Sequence, residues 1–116
     1  MKLTRIKMHK TSEIYSILTL QYDGKLNANA VNCWFIVDSG APYTYLTVKS
    51  LKSIVGKGFT HGLHSLAIQD ETTNIECHLS KAHFSNANIL GADSQEALDL
   101  SIDINWKKKE FKLMRM

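Results

Sequence analysis

Cysteine, proline and long apolar runs are all scarce in this sequence of 116 residues. Two cysteines, Cys33 and Cys77, do not make a disulfide framework. A reduced, cytoplasmic setting is the simpler reading, with a single bridge between the two left open. One proline, Pro42, and no Pro/Ser/Gly-rich stretch leave no linker, so one domain is expected. No apolar run approaches the ~20 residues of a membrane span. The opening MKLTRIKMHK has no apolar stretch behind its positive charge, so neither a secretory leader nor a membrane partner is expected. Charge of one sign is scarce too. Fourteen Lys and Arg against eleven Asp and Glu give a formal +3, which makes no case for nucleic acid. Lys107–Lys109 reads as a solvated turn. Strong metal spacing of the CxxC type is missing, and His61, His64, Cys77, His78 and His83 are too scattered to suggest zinc. Gly56-Lys57-Gly58 lacks the spacing of a phosphate loop. No cofactor and no metal are expected.

What is present is strand-forming material. Residues 1–12 are polar and basic and read as a flexible arm; residues 13–116 read as one domain. Glu13 to Tyr22 is rich in β-branched and aromatic residues and predicts a strand. Asp23-Gly24 is a strong hairpin signal. The return strand is predicted over Ala28 to Val37, and its apolar end suggests burial on both faces. Tyr43 to Thr47, His64 to Gln69, Asn74 to Phe84 and Ala87 to Leu90 also read as strands. Val48 to Val55 reads as a short helix or a turn, and Gly56–Gly58 as a flexible bend. Asp93 to Leu100 is the one clear helix, with acid in its first turn. Ser101–Asn105 and Glu110–Leu113 close the chain as a hairpin. The fold class expected is mostly β, a small closed or sandwich-like architecture with one helix.

Asp38 carries the chemistry. It follows the run Cys33-Trp34-Phe35-Ile36-Val37, an awkward place for a charge, because burying a lone carboxylate is costly unless it is paired. Ser39 adds a hydroxyl and Gly40 permits close backbone approach. On these residues alone an Asx-type turn at a strand end is the favoured reading. The surrounding FIVDSGAPYTYL, however, resembles the active-site segment of aspartic peptidases. ANILGAD followed by a helix resembles the second hallmark of the retropepsin family, at a slightly short distance from Asp38. IVGKGF resembles a reduced glycine-rich flap, and SIDINWKKKEFKL the closing hairpin of retropepsin-like domains. The resemblance covers roughly Glu13 to Leu113.

It implies a closed β-barrel of the acid-protease type with one short C-terminal helix, acting as a homodimeric aspartic endopeptidase on polypeptide substrates. Asp38 would be the catalytic residue, one per subunit. Ser39 would steady the carboxylate pair across the twofold axis. Gly40 and the Gly56, Lys57, Gly58 flap would contact substrate backbone. Retroviral members carry an acid where Pro42 stands and a base where Ala92 stands, and their ion pair buttresses the dimer. Both are missing here. That absence and the short flap keep a second reading in view, a module with this fold that binds peptides or assembles without turnover. A nucleic-acid-binding β-barrel using Lys107–Lys109 is a third.

Overall fold

The protein is described by a computed structural model, covering residues 2–7, 15–22, 30–80 and 86–115. The Asp23-Gly24 turn, His83 and Phe84 lie outside these residues.

Among the described residues, nine strands and two α-helices follow one another. They are β1 (Lys2–Lys7), β2 (Tyr15–Tyr22), β3 (Val31–Val37), β4 (Tyr45–Leu46), α1 (Val48–Val55), β5 (His64–Ile68), β6 (Asn74–Leu79), β7 (Ile89–Leu90), α2 (Ala92–Ala97), β8 (Leu100–Asn105) and β9 (Glu110–Arg115). Six strands hydrogen-bond in the order β2-β3-β7-β4-β6-β5, and β5 pairs back onto β2, so this sheet closes on itself. β1, β9 and β8 form a second sheet of three strands. The basic stretch expected as a loose arm is corrected here: Lys2–Lys7 runs antiparallel to β9. That pairing joins residues more than a hundred positions apart, so no local pattern announces it.

β2 and β3 pair antiparallel with Leu18 opposite Cys33. Their inward residues alternate: Leu18 and Leu20 from β2, Cys33, Phe35 and Val37 from β3, all buried. The expectation that β3 is covered on both faces fails, because Trp34 between them is 54% exposed. A strand of a closed sheet has one face on the core and one outside, whatever the hydropathy of its run. Leu46, Leu51, Ile54, Val55, Leu66, Ile68, Leu90 and Leu98 complete the central core.

The single-helix expectation is also corrected. Val48–Val55 is a full helix: Thr47 caps it, its Oγ1 accepting from Ser50 N at 3.1 Å, and Leu51, Ile54 and Val55 face the core at helical spacing. α1 ends at Gly56, whose φ of +69° suits glycine. α2 is shorter than predicted, since Asp99 takes a positive φ and Leu100 already begins β8.

Both thiols are free and buried. Burial pushes Cys77 up to about 12, with Asp93 and Cys33 adding to the rise, and burial also raises Cys33 against a lowering hydrogen bond from Ser50.

The β5–β6 turn is organised by Asp70. Its carboxylate accepts from Thr72 N at 2.9 Å, Thr72 Oγ1 at 2.8 Å and Thr73 N at 2.8 Å, and it pairs with the Arg115 guanidinium of β9. The Thr72 hydroxyl and then Arg115 hold Asp70 well below the usual carboxylate range. A depressed folded-state value means stability that is present above the unfolded Asp value of about 4 and lost as pH falls toward the folded one. Asp70→Asn should therefore lower the melting temperature at neutral pH, and the gap from the parent should narrow as pH drops below about 4. A gap that stays constant down to about pH 2 would show that Asp70 contributes through shape alone.

Candidate active site

β3 ends at Val37 and hands the chain to Asp38. The Asp38 amide donates to Leu90 O of β7 at 3.1 Å, and Ile36 N donates to Asn88 O at 2.9 Å. The parallel β3–β7 pair therefore fixes the backbone on which the carboxylate stands. A tight turn follows. Gly40 N donates to Asp38 Oδ1 at 2.9 Å, and Ala41 N to Asp38 O at 3.2 Å. A Cβ on Gly40 would lie 3.2 Å from Asp38 Oδ1, so glycine leaves the carboxylate its place. This is the Asx-type turn the residues suggested, now at the mouth of a cavity.

The segment after the turn is bolted to α2. Thr44 Oγ1 donates to Asp93 Oδ1 at 2.7 Å, Thr44 N to Asp93 Oδ2 at 3.3 Å, and Gly91 N to Thr44 Oγ1 at 3.2 Å. Ser94 Oγ also bonds Thr44 Oγ1, and both residues are fully buried. Ala92 N and Asp93 N donate to Ala41 O and Pro42 O at 2.7 and 3.2 Å. A carboxylate–hydroxyl network inside one chain thus joins the Asp38 turn to α2. Pro42 and Ala92, the positions without an ion pair, lie on this seam. Nothing in the sequence marks Thr44, Asp93 and Ser94 as partners, because about fifty residues separate them.

A cavity of about 640 Å³ opens beside Asp38, lined also by Gly40, Ala41, Pro42, Tyr45, His61, Gly62, Leu63, His78, Leu79 and Ile89. Among the described residues, Asp38 is its only carboxylate. Ser39 is exposed and outside the lining. Gly56, Lys57 and Gly58 form a 3₁₀ turn after α1 and do not line the cavity; the loop reaches it five residues further on, through His61, Gly62 and Leu63. Phe59 anchors that loop. It packs on the core, stacks on His64 with centroids 6.1 Å apart, and lies under Lys52 Nζ at 5.5 Å. His78 is held on the cavity wall by two aromatic rings, Tyr43 at 4.8 Å and Tyr45 at 5.4 Å. His61 and His78, scattered in the sequence, both line this cavity, one beside the Phe59 anchor and the other on β6 where it pairs with β4. Among the described residues no three His, Cys, Asp or Glu gather to hold a metal.

No family model matches the sequence and no curated protein matches it. Among solved structures, the chain is similar to a retropepsin-like aspartic protease from Rickettsia conorii, with a TM-score of 0.60 and 22% identity over 95% of this chain and 87% of that one. The fold of this chain is thus retropepsin-like.

Proposed function

We propose that the chain is one subunit of an aspartic endopeptidase, and that a homodimer completes the site by bringing two Asp38 carboxylates together. The observation that supports this best is a lone carboxylate fixed by its own backbone at the mouth of a peptide-sized cavity, within a retropepsin-like fold whose closed six-stranded sheet we read as the acid-protease barrel. One carboxylate cannot be both general base and general acid. Two about 3 Å apart share a proton and titrate as a pair. The ionised member takes a proton from a water that attacks the scissile carbonyl carbon, while the protonated member donates to the carbonyl oxygen. Collapse of the tetrahedral diol breaks the C–N bond as the leaving nitrogen takes up the pair's proton, while a diol hydroxyl gives its own proton back to the pair as the carbonyl re-forms, so that one proton is again shared.

Ser39 faces solvent in the single chain, where it is free to bond across a twofold axis. Tyr43 and Leu63, 50% and 54% exposed, are apolar surface that a second copy would cover. The Thr44–Asp93 network would replace the buttressing ion pair, with rigidity supplied inside each subunit. The short loop that follows the 3₁₀ turn, reaching the cavity only through His61, Gly62 and Leu63, favours a second reading: a peptide-binding module without turnover.

Sedimentation combined with a peptide-library assay from about pH 3 to about pH 7 separates the two. A peptidase should show a monomer–dimer equilibrium, specific activity that rises with protein concentration, and inhibition by a hydroxyl-bearing transition-state mimic. Strictly monomeric protein that cleaves nothing and ignores the mimic would exclude the peptidase.

A further inference from the structure

The lining around Asp38 has a chemistry that its role as a peptide cleft does not require. Most of it is apolar: Ala41, Pro42, Leu63, Leu79 and Ile89. Into this surface project two imidazoles, His61 from the loop and His78 from β6. His78 is half-buried and clamped between Tyr43 and Tyr45, so its ring is fixed on the wall. His61 stands on the edge of the Phe59 ring, 5.1 Å between centroids. The titratable groups that face them can be taken element by element. The end of β3 brings Asp38, β4 brings Tyr45, the loop and β6 bring the histidines, and β7 brings none. Among the described residues, neither Lys, Arg nor Glu lines the cavity. Asp93, on α2, is turned onto Thr44 and Ser94.

We propose that this cavity selects peptides with an acidic side chain, held between His61 and His78; as a statement about cleavage, this rests on the peptidase reading above. Three points carry it. At mildly acidic pH, where a shared-proton carboxylate pair works, histidine is the side chain that takes on positive charge, whereas a Glu of an unfolded peptide, with an ordinary value near 4.3, remains ionised at about pH 5. A carboxylate entering an apolar lining is costly unless it meets donors there, and the two imidazoles, with the Tyr45 hydroxyl, are side-chain donors in that lining. In a symmetric pair each subunit brings two histidines against a dyad that shares a single negative charge, so the field in the cleft favours an anionic ligand.

The test uses fluorescence anisotropy on the full chain carrying Asp38→Asn, so that peptides bind without being cut. Three labelled peptides differ only at one central residue, Glu, Gln or Phe. At about pH 5 the Glu peptide should bind about tenfold tighter than the Gln peptide, and the advantage should shrink at about pH 7.5. Adding His61→Gln and His78→Gln together should erase it. Should His78→Gln fail to fold, the exposed His61→Gln decides alone by weakening the Glu preference. Equal binding of Glu and Gln, or tighter binding of Phe, overturns the proposal. A cleavage arm with the parent chain keeps the two readings apart. Cleavage without preference for the Glu peptide would leave the peptidase and remove the acidic selection. Binding preference without cleavage by the parent would leave the selection and remove the peptidase.

Discussion

Asp38→Asn should reduce peptide cleavage by roughly 10⁴-fold or more while leaving the melting temperature close to the parent's. General acid–base assistance is worth about 10² to 10⁴ in rate, and this one substitution removes both proton-handling groups at once, because each subunit of the proposed dimer carries it. The corresponding barrier increase is about 5 kcal/mol. The fold has no reason to change. Asparagine keeps an oxygen where Gly40 N donates, and the backbone bond from the Asp38 amide to Leu90 O does not involve the side chain. A dimer should persist, since the two amides can still hydrogen-bond to each other where the carboxylates shared a proton. Initial rates at several protein concentrations, alongside a thermal melt and sedimentation, give the answer. Cleavage at the parental rate would remove Asp38 from the chemistry; an unfolded variant would show that the carboxylate is structural.

Gly91→Ala should be the most destabilising glycine-to-alanine change among the described glycines. The φ of Gly91 is −80°, open to any residue, so backbone freedom is not the reason. The reason is space. A Cβ there would lie 2.0 Å from the Tyr43 carbonyl oxygen and 2.3 Å from its carbon. Both are backbone atoms on a segment held by Thr44, Asp93 and α2, so no side chain can swing aside. Either β7 or residues 42–44 must move, and each route breaks bonds around Thr44 and shifts Leu90, which carries the Asp38 amide. Overpacking of a tight core costs about 1–3 kcal/mol where side chains can give. Backbone against backbone should reach about 3 kcal/mol or more, a drop of roughly 10–20 °C for a chain of this length. An unchanged melt would show that Gly91 and residue 43 can part without loss of stability. A retained fold with lost cleavage would show that this crossing serves Asp38 more than stability.

These two positions also show what a linear reading can reach. Asp38 was legible because its signal is local: an apolar strand, an acid, a hydroxyl and a glycine in consecutive places. β2, β3 and the closing β8–β9 hairpin were legible for the same reason, as alternation and turn residues sit within a few positions. Gly91 was recognisable by resemblance, yet its purpose was not, since the atom it avoids belongs to Tyr43. Thr44, Asp93 and Ser94 were invisible, each a common residue whose meaning lies in a partner about fifty positions away. Lys2–Lys7 looked like a tail because pairing with β9 leaves no trace in its own composition. The flap was placed on Gly56–Gly58 because glycine signals a bend. The structure spends those glycines on ending α1, and Phe59 carries the following residues to the cavity.

The two buried sulfurs have a practical consequence. A thiol held at about 12 and shut away from solvent reacts with alkylating reagents only after the chain opens around it. Cys33 lies on β3, the strand that presents Asp38, and Cys77 on β6, next to His78. Timed labelling followed by mass spectrometry thus reads the opening of the two walls of the cleft separately, without adding any reporter group to the protein.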